Sequence, residues 1–230
     1  MPDVPVPDDA VLERLLRDRY SCRAFRPDPV DEATLTRLFT LAQRTASWCN
    51  AQSWQVHLTT GAATTALSRA LTDSLARGEG GSDLPWPERY TGLHAERRRT
   101  TGYALYSAVG IERSDHQARA AQMNLNFSFF GAPHVAVITC DRDLGVYGAV
   151  DAGGYVSTLL LAAQSLGVAA IAQAAIAGCS GAVRGHLELG DDRVVVCAVS
   201  LGHADDAHPA NSFRTDRAPL SEVVTVVPEV

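Results

Sequence analysis

The run from Leu159 to Gly178 is rich in Ala and Leu, and a chain that carries it must place it away from water. Such a run either crosses a bilayer or fills the middle of a folded core. Gln164, Ser165, Gly167 and Gln173 interrupt it, and no cationic residues flank it. It therefore predicts a buried helix that stops at Gly167, then a buried strand over Val168–Gln173, with no membrane span. His134–Cys140 and Val194–Leu201 are apolar enough to predict two more buried strands. Gln55–Thr60 alternates as a strand ended by Gly61, and Glu222–Val227 alternates as a final one.

Helical periodicity fills the intervals. Val11–Arg17 predicts a short helix with Asp8 or Asp9 as its N-cap. Asp31-Glu32 opens a second, with Leu35, Leu38, Phe39 and Ala42 as its apolar stripe. Ala62–Arg77 and Gly178–Leu189 predict two more. Asp151 is the expected N-cap of the long helix that reaches Leu166, with Gly153-Gly154 allowing close backbone approach near its start. Helices mixed with several strands make the fold α+β or α/β. With no internal repeat and no linker, residues 1–230 read as a single domain. The stretch 78–121 is the least regular and is the candidate lid or substrate loop, its Arg97-Arg98-Arg99 run being a solvated helix face.

Composition excludes more than it assigns. An apolar fraction of 46% with 20% charged residues is ordinary for a globular protein, and a net charge of −6 argues against a nucleic-acid partner. Every cationic residue is Arg; no Lys is present. That rules out a Schiff-base lysine, a P-loop lysine and a Ser-Lys dyad. The five Cys have no CxxC pair among them, and Met1–Asp9 has no basic region of a signal peptide, which predicts free thiols and a cytoplasmic location. No His pair has metal-ligand spacing, and no GxSxG, GxGxxG or Walker loop occurs. Neither a metal site nor a catalytic side-chain nucleophile is expected.

What the chain does carry is a set of donors. In Arg19-Tyr20-Ser21-Cys22-Arg23-Ala24-Phe25, alternate residues of an extended backbone point together, so Arg19, Ser21 and Arg23 would share a face. In a helix, Arg19 and Arg23 would still meet at i, i+4. Either way, planar and permanently charged groups could grip a phosphate or an electron-rich ring edge. Phe25 offers an apolar anchor, and Pro27 and Pro29 end any helix. Ser47, Asn50 and Gln52 follow, and Arg214 and Arg217 come last. Donors without a nucleophile suit an enzyme whose chemistry belongs to a cofactor with a phosphate at one end and a polar ring at the other, as in flavin mononucleotide (FMN).

In order along the chain, the motifs resemble the nitroreductase family of FMN-dependent, NAD(P)H-oxidising homodimers. Arg19–Phe25 matches that family's Arg-x-Ser-x-Arg/Lys-x-Phe pattern, and Ser47–Trp54 matches its Ser-x-x-Asn-x-Gln-Pro-Trp loop. The likeness continues through Asn126–Pro133, the helix from Asp151 to Gly167, the Gln173-Ala174-Ala175 turn and the tail Arg214–Pro219. Ser53 replaces the family's Pro, which predicts a less rigid loop.

The resemblance implies an α+β fold with a central, mostly antiparallel sheet flanked by helices, in an entangled homodimer with FMN at the interface. It puts Arg19 and Ser21 at the FMN phosphate with Arg217 and Arg214, Arg23 at the N1/O2 edge of the ring, and Tyr20 among the cofactor-binding residues. Ser47, Asn50 and Gln52 would reach the flavin across the interface. Asn126 and Gln122 would donate to the pyrimidine edge, and the backbone around Gln173, Ala174 and Ala175 would approach N5 and O4. The strand around Val223–Val227 would join the partner's sheet. The implied chemistry is ping-pong: NADH or NADPH delivers hydride to FMN N5, and a nitroaromatic or quinone acceptor then takes the electrons. The stretch 78–121 resembles the longer branch that acts on bulkier nitroaromatics. The same scaffold also supports flavin-dependent dehydrogenases and oxidases of biosynthetic intermediates, and flavin-binding proteins without turnover.

Overall fold

The computed structural model describes residues 7–228. Four strands form its centre: β1 (Trp54–Thr60), β2 (His134–Asp141), β3 (Ala169–Gln173) and β4 (Arg193–Gly202). Their order is β1-β2-β4-β3, and every neighbouring pair is antiparallel.

The run of apolar residues in β2 has a simple cause. Ala136, Ile138 and Cys140 face one core, while Val135 and Val137 face another on the opposite side of the sheet. The first core is closed by α2 (Glu32–Ala42) and α6 (Gly145–Ser165), through Leu35, Leu38, Ala152, Tyr155 and Leu159. The second is closed by α3 (Ala62–Ala76), α7 (Ser180–Leu187) and the aromatic turn Leu125–Gly131, through Leu67, Leu71, Val183, Phe127, Phe129 and Phe130. The pairing of β2 with β4 shifts register between Ile138 and Thr139. Val196 is the residue left over, so Val196 and its neighbour Cys197 both pack on the first core despite being adjacent.

The remaining helices are α1 (Asp8–Asp18), α4 (Gly92–Ala108) and α5 (His116–Asn124). Pro7, not Asp8 or Asp9, occupies the N-cap of α1, and both acids sit in the first turn, where they complement the helix dipole. Of the acidic Met1–Asp9 stretch, residues 1–6 lie outside the described residues. Asp31 caps α2 as expected, accepting from the Thr34 N–H at 2.8 Å.

Helix α6 starts at Gly145, well before the expected Asp151. Gly148 explains the difference: a Cβ there would lie 3.0 Å from Leu144 Cβ and 3.4 Å from the Asp141 carbonyl, so packing selects a residue that local propensity disfavours. By length and composition the run Arg142–Ser165 could cross a bilayer, yet Ala152, Tyr155, Leu159 and Ala163 pack it on α2 and the sheet. Tyr155 stacks on Trp54 with ring centroids 5.0 Å apart, and burial pushes its hydroxyl pKa up to about 12. Ser53 is buried and donates to the Gly148 carbonyl at 3.1 Å, so the loop lacking the family's Pro is pinned by a hydrogen bond instead.

Two further expectations fail. The stretch 78–121 is not irregular: α4 and the start of α5 occupy much of it. Because α4 has no buried residue, it carries no apolar stripe to betray it. Its Arg97, Arg98 and Arg99 are exposed, as expected of a solvated face, and Arg97 pairs with Glu222 at 2.7 Å. In the tail, Glu222–Val227 forms no strand within the protomer; after a single turn over Leu220–Glu222, Val223, Val224, Val226 and Val227 are exposed. Alternation without a neighbouring strand has no ladder to join.

His134 is only half satisfied. Its Nε2 accepts from the Val30 N–H at 2.9 Å, while its Nδ1 is buried without a partner. Burial, then the nearby His203, lower its pKa from the ordinary value of 6.5. A lowered histidine pKa means that stability is complete above the unfolded value and is lost as pH falls below it. Folding stability is therefore expected to decline below about pH 6.5, with a contribution from this one group of at most about 1.4 kcal/mol per pH unit. Thermal melts from neutral to mildly acidic pH test this. His134→Gln, which keeps an acceptor for Val30 without the titration, should flatten that part of the decline.

Candidate active site

The Arg19–Phe25 stretch leaves α1 in extended conformation, with Arg19 at ψ 130°. Cys22 and Ala24 turn inward, and the Cys22 N–H donates to the Ala170 carbonyl at 3.1 Å, which fastens the stretch beside β3. The alternate residues Arg19, Ser21 and Arg23 remain half-buried on the other side. Of the two conformations open to this stretch, the extended one is adopted. Phe25 is anchored in the second core.

The C-terminal tail folds back onto that same surface. Arg214 lies 3.8 Å from the centroid of the Tyr20 ring, and Arg23 lies 5.6 Å from that of Phe213. Burial, then the charge of Arg217, lower the Arg19 pKa, which places two like charges close together. None of Arg19, Arg23, Arg214 or Arg217 has an ion-pair partner among the described residues. Their contacts are to carbonyls and rings: Arg23 Nη1 donates to the Ser21 carbonyl at 3.1 Å, and Arg217 Nη1 to Thr215 Oγ1 at 3.0 Å. An uncompensated cluster of guanidinium groups is an anion site in chemical terms.

Asn211 joins the two chain ends, and no sequence signal pointed to it. Buried in the tail, it accepts from the Arg23 N–H at 2.7 Å and donates to the carbonyls of Ala24 and Asp205, each at 2.9 Å.

Next to this cluster, the Leu125–Gly131 turn meets the turn Ala174–Gly178 that follows β3. Gln173 is buried, and its Nε2 donates to the Asn126 carbonyl at 2.9 Å and to Asn126 Oδ1 at 3.2 Å, while its Oε1 accepts from Ser200. The Gln173 side chain is thus used up in positioning Asn126, which leaves only its backbone for the ligand role expected of it. Ala174 and Ala175 leave the backbone of the turn uncovered. Gln122 Nε2 is a buried donor with no partner. Phe129 and Phe130 both have left-handed backbones, at φ 56° and 54°, held by their buried rings.

Ser47, Asn50 and Gln52 form a separate group, and no hydrogen bond joins them to the arginines among the described residues. Ser47 Oγ accepts from the Gln52 N–H at 2.9 Å, and Gln52 Nε2 donates to Asn50 Oδ1 at 3.1 Å. Cys49, Asn50 and Gln52 all have positive φ, near 50–57°. Asp151 holds this strained loop by accepting from the Trp48 N–H at 3.1 Å; its carboxylate works there rather than at the start of α6. A cleft of about 670 Å³ lies against the loop, lined by residues that include Gln43, Arg44, Asn50 and Gln52.

Asp83, also unsignalled in the sequence, ties the Gly-rich segment after α3 to the sheet. It accepts from Arg184 Nη2 and from the Val195 N–H, each at 2.8 Å, with Arg142 at 3.9 Å. Burial would raise its pKa, but Arg184, the Val195 N–H and Arg142 together hold it below the ordinary carboxylate value. Gly81 bonds to the Gly178 carbonyl at 2.9 Å, and Trp86 packs over Gly178, so this part of the expected lid is fastened to the turn that carries Ala174 and Ala175. Among the described residues, no cluster of His, Cys, Asp or Glu could hold a metal. Four of the five free thiols are buried, and burial raises the pKa of each, so none is an activated nucleophile.

The Nitroreductase family profile matches residues 16–203. Nitroreductase NfnB of Mycolicibacterium smegmatis is 36% identical over 224 residues, which span 96% of this chain and 95% of that protein. A 4-nitrobenzoate reductase of Nocardioides sp. is 33% identical over 233 residues, covering 97% of this chain and 93% of the relative. The crystal structure of the FMN-dependent nitroreductase NfnB from Mycobacterium smegmatis in complex with NADPH matches with a TM-score of 0.91 at 35% identity, covering 96% of this chain and 99% of that one. The antiparallel sheet, its two flanking helical layers and these full-length likenesses make the chain a member of the nitroreductase family.

Proposed function

We propose that the protein is an FMN-dependent oxidoreductase that passes electrons from NADPH or NADH to nitroaromatic or quinone acceptors by a ping-pong mechanism. The carrying observation is that the two ends of the chain bring arginines to one surface, Arg214 over the Tyr20 ring at 3.8 Å and Arg23 by the Phe213 ring at 5.6 Å, with no acidic partner for Arg19, Arg23, Arg214 or Arg217 among the described residues. The residues present fit FMN. The guanidinium cluster suits its phosphate, the orphaned Gln122 Nε2 suits its pyrimidine edge, with the second amide hydrogen of Asn126, whose Nδ2 already donates to the Met123 carbonyl at 2.8 Å, and the bare Ala174–Ala175 turn admits a ring against the backbone. When bound, FMN supplies the chemistry by accepting hydride from the nicotinamide and passing two electrons to the acceptor.

In this proposal Arg19, Ser21, Arg214 and Arg217 bind the phosphate, and Tyr20 serves as the platform on which Arg214 rests. Arg23 faces the N1/O2 edge, where a fixed cation stabilises the charge that reduction brings. Ser47, Asn50 and Gln52 serve the flavin of a second protomer, which accounts for their separation from the arginines. An exposed apolar patch supports such a homodimer: Trp48 and Tyr147 pair at 4.6 Å beside exposed Val146 and Val150. The valines of the tail supply a second exposed apolar segment for the partner's sheet. Residues 1–230 act as one domain, and free thiols suit a cytoplasmic setting.

The visible spectrum of the purified protein tests this. A flavin spectrum that bleaches with anaerobic NADPH or NADH and returns on adding a nitroarene is the expected result. A colourless protein with no FMN affinity, or bound FMN that neither nicotinamide reduces, would overturn it. Arg23→Ala should lower the flavin's two-electron potential by about 30–60 mV, the equivalent of one charged hydrogen bond, with a smaller loss of binding. An unchanged potential would remove Arg23 from the ring edge.

A further inference from the structure

Helix α5 carries two buried donors that nothing among the described residues satisfies. Arg119 Nε and Gln122 Nε2 each lack a hydrogen-bond partner among the described residues, and the i, i+3 spacing puts both side chains on one face of the helix. Buried donors are rarely left unpaired, and two side by side call for a ligand with acceptors. In the function proposed above, Gln122 finds its acceptor on the flavin's pyrimidine edge, and the FMN phosphate is met at the other end by Arg19 and Arg217. Arg119 is left over, with no part of FMN assigned to it.

Its side chain is held rather than loose. The guanidinium carbon lies 5.2 Å from the centroid of the Tyr106 ring, and Nη1 donates to the Arg113 carbonyl at 3.0 Å. Arg113 in turn stacks 4.0 Å from the centroid of Tyr103, so α4 and the start of α5 are clasped by two arginine–tyrosine contacts. Among the described residues no carboxylate lies within ion-pair range of Arg119. With Nη1 occupied, Nε and Nη2 remain as the side-on fork of a guanidinium, whose parallel N–H groups match the two oxygens of a carboxylate. The position also fits. Arg119 lies three residues before Gln122 on α5, about one helical turn from the donor assigned to the ring edge, and Asn126 follows in the turn after that helix.

We propose that Arg119 is a specificity-determining residue of the acceptor site and recognises a carboxylate carried by the nitroaromatic substrate. This rests on the nitroreductase function proposed above. The guanidinium would favour anionic nitroarenes over neutral ones of the same shape, and a planar acceptor would lie between the flavin and the clasped α4–α5 pair. A nicotinamide dinucleotide also carries anionic oxygens, as phosphates, so the test separates the two sources.

The experiment uses the FMN-loaded protein with 4-nitrobenzoate and its neutral isostere 4-nitrobenzamide. In the unaltered protein, kcat/KM is expected to favour the acid, and benzoate should compete with the nitroarene better than benzamide does. Arg119→Gln should reduce the acid-over-amide ratio at least about tenfold, chiefly through KM for the acid, and Arg119→Lys should restore part of it as a charge without the fork. Three results would overturn the proposal: no preference of the unaltered protein for benzoate over benzamide, an equal fall for acid and amide in the variant, or a change confined to KM for NADPH. The last would assign Arg119 to the dinucleotide. Failure to reduce any nitroarene would instead count against the function on which the proposal rests.

Discussion

Asp83→Ala is expected to lower the free energy of unfolding by about 1.5–3 kcal/mol, the cost of losing charged hydrogen bonds at a partly buried ion pair. The carboxylate side chain is 11% exposed and that of Arg184 16% exposed, so water only partly replaces the lost partner. The variant also strips the Val195 N–H of its acceptor and weakens the hold on Arg142. Urea unfolding followed by tryptophan fluorescence measures the change. Asp83→Asn should cost less, because an amide oxygen can still accept from Val195 while the charge is gone. A loss below about 1 kcal/mol for Asp83→Ala would mean that the segment 78–86 is not fastened as described. Combining Asp83→Ala with Arg184→Ala should cost less than the sum of the single changes, because the two share one contact.

Arg19→Ala and Arg217→Ala are each expected to weaken FMN binding by about 1.5–3 kcal/mol, or roughly 10–150-fold in Kd, the range for one lost charged hydrogen bond. The physical reason is the crowding of two like charges. Burial, and then the charge of Arg217, disfavour the charged form of half-buried Arg19, and an anion bound beside it relieves that cost. The same crowding predicts that the flavin-free form of either variant will be at least as stable as the unaltered protein, since repulsion disappears with one charge. Equilibrium dialysis with fluorescence detection of FMN gives the first quantity and thermal melting the second. Full FMN affinity in either variant would refute the phosphate role of that residue. A variant that loses FMN and stability together would mark the arginine as structural.

The strands were legible in the sequence where burial imposed a pattern. β2 and β4 read as continuous apolar runs because each has a core on both faces. α2 read clearly because its stripe meets only one core. The errors lie where local chemistry and tertiary contact disagree. The first turns of α6 contain Gly145 and Gly148, which argue against helix, yet Gly148 lies where a side chain would press on Leu144 and Asp141. α4 has no buried residue and its apolar side chains do not gather on one face, so no periodicity marked it. The alternation of Glu222–Val227 is real, but within one protomer that tail pairs with no strand.

The candidate site divides in the same way. Its charged and polar groups stand in the sequence as plain text: Arg19, Ser21 and Arg23 alternate, and an extended backbone alone puts them on one side. The lack of Lys excludes lysine chemistry, and a set of donors without a nucleophile motif suits a bound cofactor. What no local pattern could supply is the company these residues keep. Asn211 bridges to Arg23 across 188 positions of the chain, Gln173 spends its side chain on Asn126, and Asp151 serves the Ser47–Gln52 loop rather than its own helix. A hydrogen bond between distant residues depends on where the whole chain puts them, whereas alternation and capping depend only on neighbours. Residue types and spacing therefore point to the class of chemistry, and packing alone decided which arginines come to one surface and which buried donors lack a partner among the described residues.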